Sequence, residues 1–420
     1  MAVIAHTGGR RWLLAAAGAA LLLTLGWVLS DRDTDRVTSA GCLPSAGAPA
    51  ARKAAVIALL GDEIGARSST LAGPHVNRLV RISLPRGRVE AERRLGSRLD
   101  ERRLRAPDAL LLALEGSLLA VAPGGRAVLA LDRRPAGGRD SVVVAGAARL
   151  DIRCRFALER GVRYRGIALG RGGRLYAYGY RAMGPPGSRR RPLTAAAAVL
   201  TVVDTSSGAV VGRRTVRAPR GRSGPDWLPW WGAVSADGRR LVLSYHGSAT
   251  TGADRLDLTG DAITRCPGRA QRRACVPAVH GAVEPFGRGF LATTGTDVVE
   301  LSAGGRVLRR LDIGARDVHL MGFALDRSVL YVSSCGRRPA IERLDLAGAV
   351  RDRLPSGRFC GMPLATGARV LVLAATRVDR SGLAAAGGRT LRIIDLARPG
   401  DGIRVPGSRG VHDAVIVGAA

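Results

Sequence analysis

A pair of short apolar strands joined by a glycine turn recurs along this chain, and the recurrence leaves few folds open. Ile82-Ser83-Leu84 runs through Gly87 to Val89, Val202-Val203-Asp204 through Gly208 to Val210 and Val211, and Leu256-Asp257-Leu258 through Gly260 to Ile263. Val299-Glu300-Leu301, Leu344-Asp345-Leu346 and Ile394-Asp395-Leu396 continue in the same way through Gly304-Gly305, Gly348 and Gly400. Alternating apolar residues make a half-buried strand, and glycine supplies the positive φ that a hairpin turn requires.

A second apolar pair precedes most of these hairpins. Gly232-Ala233-Val234-Ser235-Ala236-Asp237-Gly238 leads into Leu241-Val242-Leu243-Ser244, and Met321-Gly322-Phe323-Ala324-Leu325-Asp326 leads into Val329-Leu330-Tyr331-Val332. Comparable pieces begin at Gly166, Gly281 and Gly361. Two strands plus two strands give a four-stranded unit, and the later units recur roughly every 40–50 residues, the spacing of propeller blades. Ser235-Ala236-Asp237-Gly238-Arg239-Arg240-Leu241, with its following strand and the hairpin at Leu256–Ile263, resembles the repeat of bacterial YVTN-type, WD40-like and quinoprotein-like β-propellers. The resemblance covers about residues 53–420 and is clearest from residue 164 onward. It implies an all-β β-propeller of about seven four-stranded blades, with six or eight open as alternatives. It implies no particular function, because such propellers include enzymes, ligand-binding proteins and scaffolds. Residues 104–160, where the blade register is unclear, and the Gly-, Pro- and Arg-rich insertion Arg181–Thr194 depart from the pattern.

The two ends of this region match each other. Val411-His412-Asp413-Ala414-Val415-Ile416-Val417 repeats the innermost-strand pattern and then stops, while residues 54–60 are a lone apolar strand near the start. Sharing one blade between them closes the ring and removes the exposed sheet edges. The composition fits: 46% of residues are hydrophobic but only 4% aromatic, so the core is built of Val, Leu, Ile and Ala.

Ahead of the repeats, residues Trp12 to Leu29 form an uncharged apolar run. A bilayer span needs roughly 17–25 such residues. Arg10 and Arg11 precede the run, and Asp31, Arg32, Asp33, Asp35 and Arg36 follow it. The positive-inside rule then leaves residues 1–11 in the cytoplasm, residues 12–30 as a transmembrane signal anchor, 31–52 as a flexible linker and 53–420 outside. Cleaved export is the competing reading: Arg10-Arg11-Trp12-Leu13-Leu14 loosely resembles a twin-arginine motif, and Ser39-Ala40-Gly41-Cys42 a lipoprotein cleavage box. Six cysteines suit an oxidising compartment, and none has zinc-type spacing. Cys266 and Cys275 flank one loop, Cys335 and Cys360 lie in adjacent repeats, and Cys42 and Cys154 remain; connectivity stays open.

The net charge is +31, carried almost wholly by arginine, with Lys53 the only lysine. Such a field attracts polyanions. The arginines are spread along the chain rather than focused beside aromatics, which fits codon bias and argues against a specific nucleic-acid site.

Aligning the repeats puts Tyr164, Trp231, His280, His319, Cys360 and His412 at the entry of the innermost strands, where a propeller channel opens. Three histidines at one repeat position would converge on the axis. There they would hold zinc or copper, with Asp317, Glu284 and Asp413 as further oxygen ligands, or would simply line a wet funnel. Trp227, Trp230 and Trp231 form the one tryptophan cluster, a stacking platform or inter-blade filling. No phosphate loop, nucleophile elbow, zinc-protease motif or calcium loop is present, and no cofactor is expected beyond that metal. The reading is a membrane-tethered, extracytoplasmic, non-catalytic module for a protein or glycan. Its alternative is a propeller enzyme with a central-funnel site: a quinone-dependent dehydrogenase, a lyase or a lactonase.

Overall fold

The computed structural model describes residues 42–43, 53–61, 77–95, 117–133, 139–182, 196–217 and, with internal breaks, 228–418. The strands described there form seven four-stranded sheets. Sheet 1 takes β1 (Ala55–Leu60), β2 (Arg78–Ser83) and β3 (Val89–Arg94) from the start of the body. Sheet 2 holds β4 (Leu119–Val121), β5 (Ala127–Asp132), β6 (Ser141–Gly146) and β7 (Ile152–Ala157). Sheet 3 holds β8 (Arg163–Leu169), β9 (Arg174–Ala182), β10 (Ala196–Asp204) and β11 (Val210–Arg217). Sheet 4 holds β12 (Leu228–Val234), β13 (Arg240–His246), β14 (Ala253–Asp257) and β15 (Ile263–Thr264). Sheet 5 holds β16 (Val283–Phe286), β17 (Gly289–Thr293), β18 (Val298–Leu301) and β19 (Val307–Leu311). Sheet 6 holds β20 (His319–Asp326), β21 (Val329–Cys335), β22 (Ala340–Asp345) and β23 (Val350–Leu354). Sheet 7 holds β24 (Phe359–Gly367), β25 (Val370–Arg377), β26 (Thr390–Asp395) and β27 (Ile403–Arg409). β28 (Val411–Val417) then returns to sheet 1 as its first strand, so the order there is β28-β1-β2-β3.

Both faces of each sheet are apolar, and each face is spent against a neighbour. Tyr176 and Leu200 of sheet 3 meet Leu241 and Leu243 of sheet 4. Val242 of sheet 4 meets Phe290 and Ala292 of sheet 5. Leu291 of sheet 5 meets Phe323 and Leu330 of sheet 6, and Tyr331 of sheet 6 meets Leu371 and Leu373 of sheet 7. Val372 and Ile393 of sheet 7 pack with Val56 and Val80 of sheet 1. One continuous cluster, including Ile57, Leu129, Val143 and Leu175, joins sheets 1, 2 and 3. The sequence of interfaces therefore returns to its start. The first strands follow the same circuit, β28 beside β4, β4 beside β8, β8 beside β12, β12 beside β16, β20 beside β24 and β24 beside β28. This is a β-propeller.

Closure occurs where the matching ends predict it. β1 pairs antiparallel with β28 from Ala55–Val417 to Leu60–Val411. All six residues of β1 are buried, as are Val411, Ala414 and Val417 of β28. Glycine turns also behave as expected at Gly87 (φ 66°) and Gly208 (φ 71°), whereas in the last hairpin the positive φ falls at Gly402 rather than Gly400. The aspartate of the hairpin motif has a local task. Asp204 Oδ1 accepts from the Ser206 amide at 2.9 Å, and Asp395 Oδ1 accepts from the Ala397 amide at 2.9 Å, fixing the turn. The stretch whose register was unclear in sequence forms sheet 2. The insertion after Arg181 connects β9 to β10, which pair as far as Ala182–Ala196.

Cys42 is disulfide-bonded to Cys154 on β7, across a sequence separation of 112 residues, and both cysteines are buried. Residues 42–43 therefore dock on the body instead of belonging to a free linker, and a Cys42 thiol held in a disulfide offers no sulfur for lipid attachment. The apolar run at 12–29 lies outside the described residues; among the described residues no helix is long and apolar enough to cross a membrane.

Deleting residues 411–420 should abolish cooperative melting, because it bares β1 and strips the wall between sheets 7 and 1; circular dichroism on heating checks this. Non-reducing peptide mapping should recover a Cys42–Cys154 cross-link. Its removal by Cys154→Ser should cost on the order of 4 kcal/mol, as closing so long a loop implies.

Candidate functional site

The first strands line the axis, and their geometry is set by β-bulges. Arg165, Trp230, Met321 and His412 are each an extra residue at one register of β8, β12, β20 and β28. β24 carries its bulge two rungs further on, at Leu364. A bulge lifts one residue out of the ladder and turns the strand.

Measured against this landmark, the repeat alignment slips. Tyr164 precedes the bulge by one residue, Trp231 follows it by one, and His319 precedes it by two, opposite Cys335. His412 occupies the bulge. Shifts of one residue exchange faces, and Tyr164 shows the consequence. It is 1% exposed, bonds Thr201 Oγ1 through its hydroxyl at 2.6 Å, and accepts from the Glu159 amide at 3.3 Å. Tyr164 is a core residue of sheet 3 and not a funnel residue. Burial raises its pKa.

His412 packs over Gly61, where a Cβ would collide with the imidazole Nε2, and it keeps partial exposure. His280, Trp227, Asp317, Cys266 and Cys275 lie outside the described residues. Trp230 and Trp231 are placed on β12, His319 on β20 and Cys335 on β21 by backbone alone. Cys360, on β24, is disulfide-bonded. Among the described residues no three His, Cys, Asp or Glu side chains gather as a metal site.

What the structure does assemble on the axis is acidic. Glu284 sits on β16 opposite Leu291. At the equivalent rung the other first strands carry Ala120, Ala168, Ala233, Ala324, Ala365 and Val415. A single carboxyl thus projects at a level otherwise lined by small apolar side chains. It is half-buried yet enclosed, and burial together with the Asp413 carboxylate pushes its pKa up from 4.5 to about 7. Sheets 5 and 1 are not neighbours in the ring, so this coupling runs across the channel.

Asp413 itself is held by the backbone. Its Oδ2 accepts from the Leu118 and Leu119 amides at 2.7 and 2.8 Å, and its Oδ1 from the Ala414 amide at 2.8 Å. These bonds tie β28 to the start of β4 and hold the carboxylate in place. Tyr178 completes the group. Its ring fits beneath Gly166 and Gly232, where a Cβ would strike the hydroxyl and Cε1 respectively. Burial, with a smaller push from Asp413, raises its pKa beyond any working pH, so the hydroxyl stays protonated beside Ser117 and Gly232. The axis therefore presents one fixed carboxylate and one carboxyl that changes charge near neutrality, with the fully buried Tyr178 packed behind them. Sequence reasoning reached Glu284 and Asp413 only as accessory oxygens and missed Tyr178; the two glycines that make room for it are the signal.

No family model and no curated protein matches the chain. Among solved structures it is similar to an acylaminoacyl peptidase in complex with Z-Gly-Gly-Phe-chloromethyl ketone, at 13% identity and TM-score 0.52, covering 86% of this chain and 52% of that one. The acylaminoacyl peptidase of Pyrococcus horikoshii gives 14% identity, TM-score 0.51 and the same coverages. The β-propeller domain of the Trilobed protease from Pyrococcus furiosus gives 11% identity and TM-score 0.49, with 86% of this chain and 97% of that one covered. The chain spans about half the length of the two peptidases. At such identities the likeness concerns the fold alone.

Glu284 makes a pH prediction with a definite sign. Its folded pKa exceeds its unfolded value, so between pH 4.5 and about 7 the folded state keeps a proton that the unfolded chain releases. Stability then falls as pH rises through that window. Glu284→Gln should flatten this slope and be more stable than wild type above pH 7, by on the order of 3 kcal/mol, in thermal melts from pH 5 to 8.

Proposed function

We propose that this protein is an extracytoplasmic binding module, tethered to the membrane by its N-terminal apolar run, with a closed propeller of seven blades, one per sheet, presenting the axial channel to a protein or glycan. The carrying observation is the placement of Glu284 and Asp413 on the axis of a chain whose net charge is +31. Acid inside a basic body favours a ligand segment that donates hydrogen bonds or carries positive charge, such as sugar hydroxyls or an Arg or Lys side chain. The buried Cys42–Cys154 disulfide supports the oxidising side of the membrane. Trp230 and Trp231 lie on β12, one of the first strands.

A second reading rests on Glu284 alone. A carboxyl whose pKa is pushed up to about 7, beside a second carboxyl held by backbone amides, is suited to general acid–base work, which keeps a channel lyase or hydrolase in view.

Arrays of wall glycans and Arg- or Lys-rich peptides, probed with the purified full-length chain at pH 8, separate the two. Binding that weakens roughly tenfold in Glu284→Gln, the loss expected of one charged hydrogen bond, with the probe recovered unchanged, fits the binding module. A probe recovered cleaved or rearranged by wild type and intact from Glu284→Gln fits the enzyme. Equal binding by wild type and Glu284→Gln removes the channel from both.

A further inference from the structure

Away from the axis, a cleft of about 470 Å³ opens where the last strand of sheet 7 passes the third strand of sheet 1. It is a made feature of β27. That strand pairs regularly at Ile393–Ile403 and Arg392–Arg404, then jumps to Thr390–Arg409, so residues 405–408 buckle out of the ladder. The buckle is fixed from inside. Ser408 is 2% exposed; its hydroxyl donates to the Val405 carbonyl at 2.6 Å and accepts from the Leu391 amide at 3.0 Å. Gly407 takes a positive φ of 67° at the crest. Across the gap, Arg78 of β2 donates to the Gly407 carbonyl at 2.8 Å and to Glu92 at 3.1 Å, which holds its guanidinium at the cleft wall. Arg404 lies exposed on the opposite wall, and Thr390 lines the cleft beside it.

Some rungs elsewhere set arginine opposite a carboxylate, as at Glu300–Arg309, Arg343–Asp352 and Glu342–Arg353. Among the described rungs arginine faces arginine at two, Arg78–Arg94 and Arg392–Arg404. Like charges directly opposite are destabilising. The two arginines that line the cleft belong to those two rungs; among the described residues Glu92 is the carboxylate bonded to Arg78, and the Arg392 guanidinium lies over the Phe359 ring at 3.4 Å. Guanidinium groups bind carboxylate and phosphate oxygens through paired N–H donors.

We propose that this cleft is a binding site for an oxyanion carried on a small, sugar-sized molecule, with Arg404 and Arg78 gripping the anionic group and the Thr390 hydroxyl and Pro406 meeting the remainder. It is separate from the axial channel and stands whether or not the channel binds a ligand. Isothermal titration of the full-length protein in 50 mM salt tests it, using glucuronate and glucose 6-phosphate as probes and glucose as the neutral control. One-to-one saturable binding of at least one charged probe, none of glucose, and at least a tenfold loss in Arg404→Gln is the expected result. Which probe binds tells carboxylate from phosphate. Arg306→Gln removes an equal charge from the exposed edge of sheet 5 and should leave binding unchanged. Absence of saturable binding of both charged probes to wild type, or equal weakening in Arg404→Gln and Arg306→Gln, overturns the proposal, the latter because it reports only the net charge.

Discussion

The ladder between β1 and β28 brings together segments from opposite ends of the body, and every other interface presupposes it. Apart from His412 and Asp413 its residues are aliphatic, and its one irregularity is the bulge at His412. Without it, the Val56 face of sheet 1 has nothing to present to Val372 and Ile393, and the circuit of apolar walls opens at the seam. A propeller has no central core to fall back on, since its stability is the sum of wall-to-wall contacts. The same strand carries Asp413, whose carboxylate bonds the backbone of the next sheet. Closing the ring and placing a charge on the axis are therefore one structural act.

That charge makes sense of its neighbour. A carboxylate fed by three amides is stable as an anion. Glu284 faces both desolvation and Asp413, so it retains its proton to near neutrality. The alanines at the same rung explain how the side chain fits: first strands converge most tightly there, and only small residues elsewhere leave room for one long one. Tyr178 obeys the same packing logic from behind, reaching the axis only because Gly166 and Gly232 lack a Cβ.

Much of the fold was legible because its cues are local. Gly87 and Gly208 mark turns, Asp204 and Asp395 lock them, and the apolar alternation around them admits little but strands. The terminal match of residues 54–60 with Val411–Val417 was legible because both segments are apolar and each lacks a partner nearby in sequence. The site was harder to read for a physical reason. A bulge adds one residue without disturbing composition, so Arg165, Trp230, Met321 and His412 are invisible as landmarks, and counting from the glycines misplaces the rungs. By that count Glu284 matches Ser235; in the structure it matches Ala233. Two residues separate that turn position from the axial rung. Tyr164 turned inward for the same reason, and the coupling of Glu284 to Asp413 joins residues from sheets that no local pattern relates.

Charge is segregated by depth, and depth decides what each charge can do. The arginines on the outer strands sit in water, where attraction to an anionic surface fades beyond a Debye length of roughly 8 Å at physiological salt. Any attraction they exert would be general, open to any polyanion and weakened by salt. Glu284 and Asp413 lie inside a walled channel, where screening ions enter poorly and each missing hydrogen bond is felt. On that ground the inner pair suits specific recognition better than the outer arginines. The cleft at Arg78 and Arg404 lies between these regimes: open enough to be reached, yet shaped by a folded-out strand segment and by guanidinium groups that their own ladders repel. An anion arriving there would meet two guanidinium groups set opposite like charge on their ladders, which sets this cleft apart from the rest of the described basic surface.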